Sequence, residues 1–250
     1  MSQIPPHANI VRLWDSFESD HKVYIVMDLC DFGDLSSFVR AYGDRHKRLS
    51  ERNARHIVRQ VLKGLHHMSA HCGVMHRDIK LENILVRKRL VREVSYASEV
   101  CAGDFEFKIA DLGLAKTHHG EQLLRHTHCG SPLYMAPEIL LGKDYNSQAD
   151  VWSLGVLLFQ LLVGAAPFQS KSIPELYKKV HSGVYHLPPT IALSFDCVKF
   201  LDQCLQIDVH KRATLSDLTA HSYMESGKQF YYPPQAIRCL NANTTNITLP

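Results

Sequence analysis

His76-Arg77-Asp78-Ile79-Lys80-Leu81-Glu82-Asn83 is the stretch on which the reading of this chain turns. Asp78 supplies a carboxylate that is anionic at neutral pH and can orient a hydroxyl by a hydrogen bond. Lys80, two residues on, falls on the same side of an extended loop. Further along come Asp111-Leu112-Gly113 and Ala136-Pro137-Glu138. An isolated Asp-Leu-Gly reads as an ordinary turn. The three signals in this order are far more specific than any one of them.

The segments around the stretch read as a mixed fold. Residues 10–17 and 22–27 are rich in β-branched and aromatic side chains, and Ser19-Asp20-His21 between them is turn chemistry, which predicts an antiparallel hairpin. Asp31-Phe32-Gly33-Asp34 breaks the pattern, and a short helix follows over 35–42. Ser50 is the predicted N-cap of a long helix over 51–71, whose Ile57, Val58, Val61, Leu62, Leu65 and Met68 make one apolar stripe. Ile84-Leu85-Val86 and Phe107-Lys108-Ile109 read as short strands, and their pairing would bring Asn83 and Asp111 together. The intervening residues open with the basic run Arg87-Lys88-Arg89-Leu90-Val91-Arg92 and read as a solvated surface insertion, a basic nuclear-import or anion patch being the other reading. From Ala149 to Met224 the chain reads as about four helices.

The bulk composition narrows the function classes. With 250 residues, 45% of them hydrophobic, the chain can bury a sizeable core. A formal net charge of +3 is too weak to imply a nucleic acid or an anionic lipid as partner. Sixteen histidines make the real charge depend on pH. Seven scattered cysteines without a CxxC pair predict reduced thiols, and so a cytoplasmic or nuclear setting. Met1 to His7 carries neither a charged start nor an apolar run, so no signal peptide is expected, and the two Asn-x-Thr sequons at Asn243 and Asn246 read as chance. The most apolar helix candidate, Val151 to Val163, falls short of the about 20 residues that cross a bilayer, and reads as a core helix. His118, His119, His126, His128 and Cys129 could ligate zinc, although adjacent pairs are not finger spacing. A pH-sensitive loop is the other reading of that cluster.

Over residues 7–224 these motifs resemble the eukaryotic protein kinases of the serine/threonine type. The resemblance implies an α+β fold, with a mainly helical C-terminal lobe and a residual β-hairpin of the N-terminal lobe. It divides the chain into a small-lobe hairpin (1–27), a hinge (28–34), a large lobe (35–224) with a surface insertion at 87–106, and a disordered tail (225–250). Asp28-Leu29-Cys30-Asp31-Phe32-Gly33-Asp34-Leu35, Cys129 to Glu138 and the long loop before Asp111 look most like the autophagy-initiating kinases.

The roles that follow are those the resemblance implies. ATP and Mg2+ are the cofactors. Phosphoryl transfer asks for positioning and charge stabilisation, with Asp78 accepting the hydroxyl proton and Lys80 reaching the transferred phosphate. A lysine there is characteristic of kinases acting on serine and threonine. Magnesium takes hard oxygen ligands, which Asn83 and Asp111 offer. Ser131 resembles the hydroxyl that bridges Asp78 and Lys80. Asp28, Cys30, Asp34, Glu82 and Leu85 match nucleotide-contacting positions, with Met27 guarding the back of the pocket. His76 would brace the backbone, and Arg77 would hold an activation loop phosphorylated at Thr127 by an upstream kinase; an unmodified loop residue is the other reading of Thr127. Glu138 would pair with Arg212, and Asp150 would hold the catalytic-loop backbone, a helix-capping role being compatible with that.

Residues 1–27 contain no Gly-rich loop, and the only early lysine is Lys22. The leading expectation is therefore a protein serine/threonine kinase of which this chain is a truncated part, acting on protein substrates. A catalytically inactive binding module working through the large lobe is the alternative. An unrelated structural protein would not carry Asp78, Lys80, Asn83, Asp111 and Glu138 in register.

Overall fold

The computed structural model of the chain describes residues 4–89, 102–111, 116–117, 132–143 and 146–225. Leu112, Gly113, Thr127, Ser131, the histidine-rich cluster, residues 90–101 of the expected insertion and residues 226–250 of the expected tail lie outside the described residues.

Strands β1 (Leu13–Ser19) and β2 (Lys22–Met27) pair as an antiparallel hairpin. Asp20 and His21 join them with φ of 51° and 62°, the consecutive left-handed pair that matches a tight loop to the twist of its strands. The sequence reading started β1 at Ile10, and the structure corrects that. Ile10 bridges Ile109 in parallel, Val11 N–H donates to Ile109 O at 2.8 Å, and Ile109 N–H donates to Asn9 O at 2.9 Å. The reason is a buried anchor: Asn9 Nδ2 donates to Gln60 Oε1 at 2.8 Å and to Phe107 O at 3.0 Å. The chain is thus fastened to the helical body before it enters the hairpin. The hairpin's own apolar side chains stay in solvent, with Val23 70% exposed.

Helix α1 (Leu35–Tyr42) starts at Asp34, whose Oδ1 accepts the Ser37 N–H at 2.7 Å. Helix α2 (Glu51–Cys72) has Ser50 as N-cap and buries the stripe from Ile57 to Met68. Gly73, at φ 58°, ends it by turning its N–H back to Ser69 O, a left-handed conformation that costs glycine little. The turn delivers the short strand β3 (Val74–Met75) into His76. Strands β4 (Ile84–Lys88) and β5 (Phe105–Ile109) pair in antiparallel register from Ile84↔Ile109 to Lys88↔Phe105. The ends of the expected 87–106 insertion are therefore strand. Phe105 draws them in, packing its ring against Phe32 at 4.9 Å and Phe38 at 5.1 Å. A further strand, β6 (Lys116–Thr117), pairs with β3.

The remaining helices are α3 (Pro137–Leu140), α4 (Gln148–Val163), α5 (Ile173–Ser182), α6 (Phe195–Cys204) and α7 (Leu215–Thr219). Helix α4 is buried on nearly every side and forms the centre of the core, as a helix apolar all round must be. No helix among the described residues is long and apolar enough to cross a membrane. The architecture is α+β, with small antiparallel sheets against a helical body, in agreement with the expected fold class.

Helix α2 and β5 meet at Gly64. A Cβ there would lie 2.8 Å from Ile109 Cδ1 and 2.9 Å from Asn9 O, and the second contact is backbone that cannot yield cheaply. Gly64→Ala is expected to destabilise the fold by about 1–3 kcal/mol, despite alanine's better helix propensity. Urea unfolding checks this; a gain in stability would show that the strand and Asn9 can move aside.

Candidate active site

The loop from His76 to Asn83 is held from beneath by α4. His76 N–H and Arg77 N–H each donate to the Asp150 carboxylate at 2.8 Å. The N-cap of α4 is Ser147, so Asp150 lies in the first turn and its carboxylate serves the loop, not its own helix end. Burial pushes the Asp150 carboxyl up from its ordinary value, opposed by His76 and Arg77. His76 Nδ1 accepts the Asp78 N–H at 3.3 Å. The ring proton is thereby assigned to Nε2, which faces Ala110 O at 2.8 Å. Arg77 and Asp111 are left-handed, at φ 73° and 58°. Such residues cost roughly 1–2 kcal/mol each and persist where surrounding bonds over-determine them.

Above this base the candidate side chains converge. Lys80 Nζ lies 2.6 Å from Asp78 Oδ2. Asn83 Nδ2 donates to Asp78 O and to Asp78 Oδ2, both at 2.8 Å, so the amide oxygen is the end not spent on Asp78. Ala110 N–H donates to Asn83 O at 2.9 Å, and the Ile84↔Ile109 register sets Asn83 and Asp111 at the same end of the β4–β5 hairpin. An amide oxygen and a carboxylate are the hard donors magnesium takes, so the residues present fit that ion. A cavity of about 520 Å³ opens beside Asp111, lined among others by Ile10, Trp14, Ile25 and Met27.

The second buried cluster ties α3 to the end of the helical body. Arg212 donates to Glu138 through both terminal guanidinium nitrogens, at 2.6 and 2.9 Å. It also donates to Gln206 O and Gln148 O, each at 2.9 Å. Ser153 Oγ donates to Tyr134 O at 2.9 Å and fixes the segment just before α3.

Residues 28–34 cross from the hairpin to α1. Phe32 N–H donates to Val86 O at 3.0 Å, Val86 N–H donates to Gly33 O at 2.8 Å, and Asp34 bridges Leu85. Asp34 spends one carboxylate oxygen on its helix cap. Burial pushes the Cys30 thiol up, opposed by Lys108 and reinforced by Asp28, so it stays neutral. Glu82 is exposed at the mouth of the loop.

A family model for the protein kinase domain matches residues 1–224. The chain belongs to the protein kinase domain family. It is similar to the probable cell cycle serine/threonine-protein kinase CDC5 homolog of Encephalitozoon cuniculi, at 33% identity over 90% of this chain and 44% of that protein. It is similar to serine/threonine protein kinase OSK3 of Oryza sativa subsp. indica at 35%, over 88% of this chain and 39% of the relative. Serine/threonine-protein kinase atg1 of Dictyostelium discoideum is also 35% identical, over 87% of this chain and 30% of its own length. The chain spans less than half the length of these relatives.

Within this kinase domain the structure brings together Asp78, Lys80, Asn83, His76, Arg77 and Asp150 at one loop, and Glu138 with Arg212 at another. Sequence reasoning missed Gln60, Asn9 and Lys108. Gln60 interrupts the apolar stripe of α2 between Ile57 and Val61, and a polar residue on a buried stripe is the signal that could have flagged it.

Proposed function

We propose that this kinase domain transfers the γ-phosphate of ATP to serine and threonine hydroxyls of protein substrates. The observation that carries the reading is the 2.6 Å approach of Lys80 Nζ to the Asp78 carboxylate, with Asn83 bound to the same oxygen. Asp78 orients the hydroxyl and takes its proton as the new O–P bond forms and the bond to the leaving diphosphate breaks. Lys80 balances charge on the phosphoryl oxygens. Asn83 and Asp111 would hold magnesium, which neutralises the phosphates when bound. The Asp28 carbonyl and the Cys30 backbone would meet adenine, with Leu85 beneath it, Asp34 toward the ribose and Glu82 at the edge of the nucleotide site.

The proposed division is a small-lobe hairpin (1–27), a hinge (28–34), a large lobe (35–224) with a surface insertion at 87–106 whose ends are the ends of β4 and β5, and a tail (225–250). Arg77 would receive a phosphate on Thr127 placed by an upstream kinase, and Ser131 would bridge Asp78 and Lys80. The proposed compartment is the cytoplasm or nucleus.

The test uses the 250-residue chain with γ-labelled ATP, magnesium and matched peptides carrying serine, threonine or tyrosine. Transfer to serine and threonine that requires magnesium is expected. Transfer no greater than that of Asp78→Asn overturns activity of this chain and leaves the binding-module reading, while transfer to tyrosine alone overturns the substrate class.

A further inference from the structure

Lys108 stands in the middle of β5 between Phe107 and Ile109, both fully buried, and is itself 6% exposed. A lysine is almost never so buried unless paired. Its register partner across the hairpin is Leu85, so the two side chains leave the same face of the sheet. On that face Lys108 Nζ reaches Asp28 Oδ2 at 3.0 Å.

Asp28 is gripped from several sides. Arg12 N–H donates to Oδ2 at 3.3 Å and Trp14 Nε1 donates to Oδ1 at 3.0 Å. The Asp28 N–H donates to Arg12 O at 3.0 Å. These bonds fix the Asp28 amide and side chain and so narrow the directions open to its carbonyl. Lys108 is the contact that comes from β5, the strand that leads through Ala110 to Asp111.

We infer that Lys108 is a positioning residue for the nucleotide base: acting through the Asp28 carboxylate, it sets the direction of the Asp28 carbonyl and thereby the affinity of the cleft for adenine. The inference rests on the nucleotide site proposed above. Lys108 touches no substrate atom in this account. It couples the segment that would receive adenine to the strand that carries the metal ligand.

The electrostatics supply a signature that a mere fastening role would lack. Burial pushes Asp28 up, and the hydrogen bonds from Lys108, Trp14 and Arg12 outweigh it and hold the carboxyl below its ordinary value. Without Lys108 the burial effect gains ground. Asp28 then takes its proton at a higher pH than in wild type, and a protonated carboxyl holds its donors less tightly. Cys30 feels both members of the pair, together with Asp31 on its own segment and Arg87 from β4, and His7 from the segment ahead of β1 feels Lys108. The Arg12 guanidinium lies 3.9 Å over the Trp14 ring.

The test is calorimetric titration of the full chain with adenosine, which carries no phosphate, at pH 7 and pH 5. Wild type should bind equally at both. Lys108→Met should bind about tenfold more weakly at pH 7, the scale of one lost charge-assisted hydrogen bond, and weaker still at pH 5. Lys108→Arg should stay within about threefold of wild type, since it keeps the charge and a donor. Asp28→Asn, which removes the titrating group, should bind weakly with no acid dependence, and it carries the test if Lys108→Met does not fold. Wild-type affinity in Lys108→Met or Asp28→Asn, or a Lys108→Met loss identical at both pH values, overturns the positioning role. If wild type itself does not bind adenosine, the adenine site falls and this role falls with it.

Discussion

Asp78→Asn should slow phosphoryl transfer by roughly 10²–10⁴-fold, the range a positioned general base supplies, while the folded chain survives. The substitution is nearly isosteric and keeps the backbone contacts that hold the loop: Asn83 Nδ2 to the carbonyl of residue 78 at 2.8 Å, and His76 Nδ1 accepting its N–H at 3.3 Å. What it removes is the negative charge that draws Lys80 Nζ to 2.6 Å and accepts Asn83 Nδ2 at 2.8 Å. Both donors meet the one oxygen Oδ2, and an amide oxygen in that place accepts them without the charge that holds an ammonium, so the Lys80 contact weakens most. Lys80 is then released from the position in which it would meet a phosphoryl oxygen. Because base and cation act as a unit, Lys80→Met and the double variant should each lose about as much as Asp78→Asn alone. The measurement is the rate at saturating ATP and magnesium, beside a thermal melt. A melt unchanged and a rate within threefold of wild type would show that Asp78 does not take the proton. A collapsed melt would show instead that the carboxylate holds the loop together.

The same network shows what could be read in the residues and what could not. Asp78, Lys80 and Asn83 are neighbours in the chain, so residue spacing nearly determines their geometry. Asp111 was legible at one remove, because two short β-rich segments flanking a long loop imply a hairpin, and the hairpin ends bring it to Asn83. Periodicity found α2 and the central helix, because burial on one stripe or on all sides leaves a regular trace. It failed at Ile10, where the same β-branched chemistry serves either the hairpin or the edge of β5. What decides between them is the Asn9–Gln60 hydrogen bond across 51 residues, and a pairing of that range leaves no local signal. Lys108 was invisible for a related reason. A lysine in a strand reads as an outward, solvated side chain until a carboxylate 80 residues away is known to lie over it.

Arg212→Leu should cost about 3–5 kcal/mol of stability, because it strands the Glu138 carboxylate inside the protein without a counter-charge. Arg212 is 2% exposed and Glu138 8%. The guanidinium fork meets both carboxylate oxygens, and its remaining N–H groups satisfy Gln206 O and Gln148 O. The Trp152 ring, 5.2 Å from the guanidinium carbon, shields the cluster from water. Arg212→Lys should recover only part of the loss, since an ammonium cannot span both oxygens and reach those carbonyls. The double change Glu138→Leu with Arg212→Leu should be milder than Arg212→Leu alone, because the cost lies in the orphaned charge more than in the lost attraction. Urea unfolding of the four chains decides it: equal losses in the single and double variants would mean that packing around Arg212, not its charge, is what matters. The effect should also reach the proposed chemistry. Glu138 is the second residue of α3, just after the segment that Ser153 fixes at Tyr134, so freeing it loosens that segment. Activity of Arg212→Lys should therefore fall at temperatures well below its melting point, where the population of unfolded chain is too small to explain the loss.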